Sequence, residues 1–201
     1  VGAGPNYYIE KGRENLLLQS NNFDTNWVST NNTLLSGQSG YDGSNDAWLV
    51  TKISAPYVPL TQNVSVTGVN TFSFYAKAGT AAFVRTYIPS GNWIINFDFA
   101  SGVASSASTL AGLISFSMTS VGNGWYRCSS THNGSVAQVR IYNEWSQTNA
   151  STYYLQDVQL EQSLVSTEYI ESGATTGKAG ILEDTPRFDY SNGASCPSLL
   201  L

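Results

Sequence analysis

The sequence predicts an all-β protein, an antiparallel β-sandwich of jelly-roll type. Three observations favour this fold. Short apolar runs with alternating polarity follow one another along the 201 residues, turn dipeptides such as Asp42-Gly43 and Asn133-Gly134 separate them, and no stretch has the spacing of an amphipathic helix. About ten strands spaced by roughly ten residues are typical of a sandwich or jelly roll, whereas a parallel sheet needs crossover helices.

The predicted strands are rich in β-branched and aromatic residues and are bounded by Gly, Asn, Asp and Ser. In chain order they cover 16–19, 47–53, 60–66, 71–77, 82–88, 93–99, 113–118, 125–130, 136–142 and 153–160. Turn signals separate them in the same order, at 42–43, 67–68, 78–79, 90–91, 101–102, 122–124 and 133–134. We therefore expect a β-sandwich over 15–171. It is preceded by an N-terminal strand or linker over 1–14. A Gly/Ala/Thr-rich extension over 172–201 follows, with a last strand pair at 187–190 and 198–201.

Composition excludes several classes of function. Charged residues make up 11% of the chain, less than half of the usual quarter. With 9 Lys and Arg and an isoelectric point near 4.7, the chain is a poor ligand for nucleic acid or an anionic membrane. No apolar run approaches the ~20 residues that span a bilayer, and no signal peptide is visible. A polar, uncharged, aromatic surface suits neutral, hydroxyl-rich ligands.

Four strands, at 71–77, 82–88, 93–99 and 136–142, alternate between apolar and polar residues, so each has one core face and one outer face. If they share one sheet, aromatic rings on its outer face can take the C–H face of a sugar, and planar polar groups can bind its hydroxyls. An ordinary solvated sheet face, or one covered by loops, is the alternative. The predicted outer face carries Tyr75, Lys77, Arg85, Tyr87, Asn96, Asp98, Gln138, Arg140 and Tyr142.

Charge and tryptophans refine this hypothesis. Two or three cations on the face against one acid would also suit an acidic polysaccharide.

Trp93 and Trp145 lie at strand ends, where a loop can present an indole beside the face, and core packing is the alternative. With Tyr87 and Tyr142 they are the predicted stacking platforms. The other three tryptophans are expected in the core, at Trp27, Trp48 and Trp125.

The sequence offers few residues that could form a catalytic site, and we predict that the protein is not an enzyme. His132 is the single histidine and is expected in a solvated turn, so neither a His-rich zinc site nor a Ser–His–Asp triad is indicated. Nothing in the spacing requires a pair of carboxylates across a cleft, as glycoside hydrolysis does. The candidate acids are Asp98, Glu144, Asp157 and Glu161. Cys128 and Cys196 carry no framework spacing and are expected to be unpaired.

Several motifs, in order, are similar to those of carbohydrate-binding-module-like jelly rolls in phage tail and virion proteins. They cover 15–24 with Trp27, 72–79, 96–102, 124–127, 154–161 with 167–170, and 186–190 with 196–201. The resemblance implies a noncatalytic module joined to neighbouring modules of a longer virion or extracellular protein. The sequence YAKAG at 75–79 also resembles a polysaccharide-lyase motif, but Arg140 occupies the position of the histidine that those lyases need.

Related modules often hold a structural Ca²⁺, and the matching residues here are Asp24 and Asp157. Asp42 and Asp46, which lie in one turn, are a second candidate pair. The combined prediction is a noncatalytic module that binds a polysaccharide, with acidic polysaccharides as one option. The alternative is a structural or adhesin module of a phage virion without sugar affinity of its own.

Overall fold

The computed structural model describes residues 12–53, 56–108, 111–145 and 148–180, and the backbone of two further strands at 187–189 and 198–200. These residues form antiparallel strands, which confirms the predicted all-β sandwich. In the part of the chain that is described, no helix is long and apolar enough to cross a membrane. The predicted segment 1–14 and the C-terminal motifs, Cys196 included, lie largely outside the described residues.

Strands are numbered in chain order. They are β1 (Arg13–Asn15), β2 (Val28–Ser29), β3 (Asn32–Gln38), β4 (Ala47–Lys52), β5 (Pro59–Val66), β6 (Val69–Ala78), β7 (Phe83–Ile88), β8 (Trp93–Asp98), β9 (Val103–Ser106), β10 (Leu113–Gly122), β11 (Trp125–Asn133), β12 (Val136–Asn143), β13 (Ser151–Glu161), β14 (Gly177–Ala179), β15 (Arg187–Asp189) and β16 (Ser198–Leu200).

Two six-stranded sheets form the sandwich. The first has the order β10-β11-β6-β13-β4-β3, and the second has the order β2-β5-β12-β7-β8-β9. Two short pairs, β1 with β14 and β15 with β16, complete the described strands. Sequence neighbours such as β7 and β8 form hairpins, whereas β6 pairs with β13 and β12 with β5 across long separations.

The core lies between the two sheets and is built from the inward set of each alternating strand. Phe72 and Phe74 of the first sheet meet residues such as Phe97 of the second, and the Phe74 and Phe97 rings contact edge to face at 5.5 Å. Val139 and Ile141 of β12 point to the same side. Because side chains alternate along a strand, burial of this set leaves the other set of the second sheet outside.

Nine of the ten strands predicted for the sandwich match observed strands. The first predicted strand, 16–19, is wrong, because the chain pairs at Arg13–Asn15 and then turns, and Leu17 is buried without strand pairing. Strands β2, β3, β9 and β14 were not predicted. They are short or rich in Ser, Thr, Asn and Gly, so their apolar pattern is weak and pairing with a neighbour defines them.

The core corrects one further expectation. His132 is not a solvated turn residue, because it belongs to β11, is buried, and stacks on Trp93 with ring centroids 4.7 Å apart. Burial lowers its pKa to about 4. The expectation for Cys128 is met in part: it is a free thiol in the core, where burial raises its pKa. Trp27 and Trp48 also lie in the core, as predicted.

Candidate functional site

Three of the four alternating strands form one continuous face, whereas the prediction joined all four. β12 pairs with β7 and β7 pairs with β8, so their outward side chains meet in rows. In one row Asn96 lies opposite Arg85, which lies opposite Tyr142. In the next row Tyr87 lies opposite Arg140. Gln138 and Asn63 of β5 form a third pair, so the face is a lattice of aromatic, amide and guanidinium groups.

Trp145 lies beside this lattice, just after β12 ends, and is half-buried. Its ring meets Tyr142 at 4.4 Å and Tyr87 at 6.0 Å between centroids, both nearly perpendicular. The guanidinium carbon of Arg85 lies 5.1 Å from the centre of the same indole. Edge-to-face pairs and cation–π contacts of this kind hold rings in fixed orientations. The structure therefore brings Trp145 to the predicted face.

The turn before Trp145 is held in place by hydrogen bonds to Glu144 from three other residues. Glu144 adopts a left-handed backbone conformation with φ of 46°, which turns the chain sharply after the strand. Its carboxylate accepts hydrogen bonds from the N–H of Ala82 and from the amide of Asn149, and its carbonyl accepts one from the buried ammonium of Lys52. This corner fixes the position of the indole.

Tyr57 completes the aromatic cluster and was not predicted. Its backbone N–H donates to the carbonyl of Trp145 at 2.9 Å, and the two rings meet edge to face at 4.9 Å. The side chain is 57% exposed, and φ is +57°, a conformation that costs a residue other than glycine free energy. Tyr57 precedes β5 in a Ser- and Pro-containing connection, and no periodic pattern in the sequence marks it.

Hydrogen bonds hold both guanidinium groups of the face. Nε of Arg85 donates to Oδ1 of Asn96 at 2.6 Å. Nε of Arg140 donates to Oε1 of Gln138, whose amide donates to Oδ1 of Asn63 at 2.6 Å, and Nη1 of Arg140 donates to the hydroxyl of Tyr142 at 3.2 Å. Arg140 also lies 5.6 Å from the ring centre of Tyr87. A guanidinium group is planar, so hydrogen bonds to one of its edges also fix the directions of its remaining N–H groups.

Two predicted members of the face are wrong. Tyr75 and Lys77 belong to β6, which lies in the other sheet. There Tyr75 is buried and stacks on Tyr41 at 3.6 Å, and the Lys77 ammonium lies over the rings of Trp125 and Tyr154. Alternation assigns a residue to one side of its strand, but the sheet that holds the strand depends on long-range pairing.

Two predicted stacking platforms are also wrong. Trp93 is 3% exposed and belongs to the core. A Cβ added at Gly91, Gly112 or Gly134 would come within 3.0 Å of its indole, so these glycines make room for the ring. Tyr142 is 2% exposed and acts as a wall that supports Trp145 and Arg140. Tyr87 and Trp145 keep partial exposure.

Asp98 lies on the outer side of β8, but its carboxylate is used by the adjacent turn. Oδ1 accepts hydrogen bonds from the backbone N–H of Ser101 at 2.7 Å and from its hydroxyl at 2.9 Å, and these bonds lower the pKa of Asp98. Asp98 therefore stabilises the β8–β9 turn and keeps its charge, while Asn96 is the polar group that contacts Arg85.

A separate cavity of about 370 Å³ lies near the outer side of the first sheet. Asp157 lies in its wall with φ of +54°, and its carboxylate accepts a hydrogen bond from the hydroxyl of Tyr41 at 2.9 Å. Burial, together with the charges of Asp46, Asp42 and Glu171, raises the pKa of Asp157 to about 7. The cavity is lined by Asn21, Tyr41, Asp42, Asp46, Tyr75, Asp157, Glu168, Tyr169 and Glu171.

This cavity bears on the calcium prediction. Asp157 shares it with the second candidate pair, Asp42 and Asp46, but Asp24 is exposed and is not among its lining residues. Within the described ranges no three His, Cys, Asp or Glu side chains are grouped so that they could hold a metal ion. Calcium at Asp24 and Asp157 stays a prediction, which a melting temperature lowered by EDTA and restored by Ca²⁺ would support.

Comparisons with known proteins add little to this description. No protein-family model matches the chain, and no curated protein is significantly similar to it. Among solved structures, it is similar to the CBM22-1–GH10 modules of the N-terminal endo-1,4-β-D-xylanase 10B from Clostridium thermocellum, complexed with xylohexaose. The sequences are 10% identical, the TM-score is 0.40, and the likeness covers 78% of this chain and 28% of that one. At this distance we transfer neither the ligand nor the activity of the xylanase, and the fold class rests on the strands described above.

Proposed function

We propose that this chain is a noncatalytic carbohydrate-binding module, with its site on the outer face of the second sheet around Trp145. The observation that carries the proposal is the exposed ring of Tyr57, held at positive φ against Trp145. Strained backbone is retained where the surrounding structure holds it in place, and such positions concentrate at ligand-binding sites. Binding of a ligand to this ring would offset the free-energy cost of the positive φ at Tyr57.

The chemistry of the face matches a sugar chain. Tyr57, Tyr87 and Trp145 offer apolar ring surface for the C–H face of a pyranose. Around them, amides and guanidinium groups offer donors and acceptors at fixed positions for hydroxyl groups.

The noncatalytic part of the proposal rests on where the candidate catalytic groups lie. His132 is in the core, and Asp98 caps a turn. Glu144 is buried and accepts hydrogen bonds from a backbone N–H and an amide. Glu161 is buried and bound by Gln159 and Thr167. None of these four groups is free to act on a sugar bound at the face, and Asp157, the remaining candidate acid, lies in the cavity at the first sheet.

The wider context of the module rests on sequence alone. The motifs at 15–24, 72–79 and 154–161 are similar to those of phage tail and virion modules. We propose on that basis that the chain works as one module of a longer virion or extracellular protein. A structural or adhesin module without sugar affinity is the competing function.

Affinity electrophoresis against a panel of soluble polysaccharides tests the proposal. We expect at least one polysaccharide to retard the protein, and Tyr57→Ala to abolish the retardation while the protein stays folded. Phe116→Ala is the matched control, because Phe116 is a partly exposed aromatic residue of β10 in the other sheet. Equal retardation of both variants would move the site elsewhere, and no retardation of the folded wild type would favour the structural module.

A further inference from the structure

Arg85 and Arg140 form a pair of cations on the candidate face without an acidic partner. In the described part of the chain, no carboxylate lies within ion-pair distance of either guanidinium, whereas Lys178 lies 3.9 Å from Glu14. Placing a partly buried cation in a protein without a counter-charge costs free energy. The arrangement is therefore one that a negatively charged ligand would complete.

The acids nearest to this pair in the sheet are already in use. Asp98 of β8 is held by Ser101, and Glu144 after β12 is held by Ala82 and Asn149. Their hydrogen bonds fix both carboxylates in directions set by the backbone of neighbouring turns. The chain as a whole carries a net charge of −5, so the positive charge on this face is a local feature and is not a consequence of composition.

Hydrogen bonds within the face fix the orientation of both guanidinium groups. Each Nε is bound to an amide oxygen of the face, Asn96 for Arg85 and Gln138 for Arg140. Both terminal nitrogens of Arg85, and Nη2 of Arg140, have no protein acceptor among the described residues. A guanidinium presents its N–H groups as a planar fork that binds both oxygens of an acid group at once.

Arg85 and Arg140 are diagonal neighbours on adjacent strands. Arg85 lies opposite Tyr142, and Arg140 is two residues before Tyr142 on the same strand. Such diagonal neighbours on adjacent antiparallel strands lie about 7–8 Å apart. The exposed ring of Tyr57 and the half-buried ring of Trp145 lie beside the pair, so a bound chain can contact the rings and both guanidinium groups together.

We infer that the ligand of this face is an anionic polysaccharide, whose acid groups are bound by Arg85 and Arg140. The inference rests on the proposed function and deepens it. The shared chemistry is a planar or tetrahedral anion on a sugar, either the carboxylate of a uronic acid or a sulfate ester. Lys77, which the sequence also suggested as a cation of this face, takes no part because it lies on the other sheet.

Pairs of polymers that differ only in charge test the inference. Polygalacturonate is compared with its carboxyl-reduced form, and dextran sulfate with dextran, by affinity electrophoresis and titration calorimetry on the full chain. We expect the acidic member of one pair to bind at least tenfold more tightly than its neutral member, and the binding to weaken as salt rises from 0.05 to 0.5 M, about a threefold fall in Debye length. The pair that shows the difference identifies carboxylate or sulfate as the ligand group.

Substitutions localise the effect. Arg85→Gln and Arg140→Gln are each expected to lower affinity for the acidic polymer at least tenfold, a clearly larger loss than for its neutral member. Lys178→Gln is the matched control, because it removes the same charge from an exposed position on β14. If Arg85→Gln fails to fold, Arg140→Gln and the salt titration of the wild type carry the test.

The outcomes separate the inference from the proposed function. Equal binding of acidic and neutral members, lost in Tyr57→Ala but kept in both arginine variants, would overturn the inference and leave the carbohydrate-binding function in place. Binding to no member of any pair would overturn both. An equal loss in Lys178→Gln would mean that net charge alone drives binding, and would also overturn the inference.

Discussion

The backbone N–H of Tyr57 donates to the carbonyl of Trp145 at 2.9 Å, and the same two residues join their rings edge to face at 4.9 Å. This double link ties the segment before β5 to the segment after β12, two strands that are neighbours in the second sheet. An exposed tyrosine that would otherwise be free to rotate is thus fixed beside the lattice of Arg85 and Arg140.

The first prediction concerns the ring of Tyr57. Tyr57→Ala should weaken polysaccharide binding by about 1–3 kcal/mol, the range of a binding hot spot, because the ring is the most exposed of the cluster. Calorimetry measures the loss. Tyr57→Gly should lose as much affinity and be at least as stable as Tyr57→Ala in urea, since glycine adopts a φ of +57° without strain. A Gly variant that is clearly less stable would contradict the account of backbone strain.

The second prediction uses the tryptophan emission of the protein. Trp145 is half-buried, whereas the other four indoles are buried: Trp27, Trp48, Trp93 and Trp125. Acrylamide should therefore quench a minor part of the emission, and Trp145→Phe should remove that part. The polysaccharide retained in electrophoresis should protect the quenchable fraction in the wild type. Unchanged quenching at saturating ligand would show that the ligand binds away from Trp145.

The third prediction concerns pH and His132. In the folded protein burial lowers its pKa to about 4, compared with 6.5 in its unperturbed state. Between pH 6.5 and 4 the imidazole is therefore protonated in the unfolded chain but neutral in the folded chain. The free energy of unfolding falls as the pH drops through this window. The loss is about 2–3 kcal/mol, at ~1.4 kcal/mol per unit of pKa difference. His132→Phe keeps a ring against Trp93 and should remove this loss in urea denaturation measured from pH 7 to 4. A wild-type-like pH dependence in this variant would contradict the assignment.

The fourth prediction concerns Asp157, whose effect has the opposite sign. Its pKa is raised to about 7 in the folded protein from 3.8. Between these values the folded chain keeps a proton that the unfolded chain releases, so this group makes stability fall as pH rises from about 4 to 7. Asp157→Asn should flatten that fall and make the protein about 4 kcal/mol more stable than the wild type at pH 8, on the same conversion.

Thermal and urea denaturation at pH 5 and pH 8 measure this difference. Asp24→Asn is the matched control, since Asp24 is exposed and lies away from the cavity. A variant that gains no stability at pH 8 relative to pH 5 would show that Asp157 is already ionised in the folded protein. The opposite slopes of His132 and Asp157 overlap in the wild type, so each contribution is measured as the difference between the wild type and the corresponding variant.

The part of the site that could be predicted follows from alternation along single strands and from pairing of strands adjacent in the chain. Alternation in β7, β8 and β12 placed Arg85, Tyr87, Asn96, Gln138 and Arg140 on outward sides, and β7 and β8 pair as a hairpin along the chain. Tyr57 was unpredictable because its exposure and its ring contact arise from a connection with no repeating pattern. For Trp93 the sequence does carry a signal: Gly91 lies two residues before it and makes room for a buried indole.

The amino-acid sequence by itself determined the all-β class, most strands and the side of each strand that faces the core, because these follow from a period of two and from turn chemistry between neighbours. Only the tertiary structure decided that β6 joins the other sheet, which removed Tyr75 and Lys77 from the face. It also decided that Tyr57 and Trp145 meet, and that Asp157 shares a cavity with Asp42 and Asp46. These relationships depend on pairing between strands far apart in the chain, where many registers satisfy the same local pattern and packing of the whole core selects one.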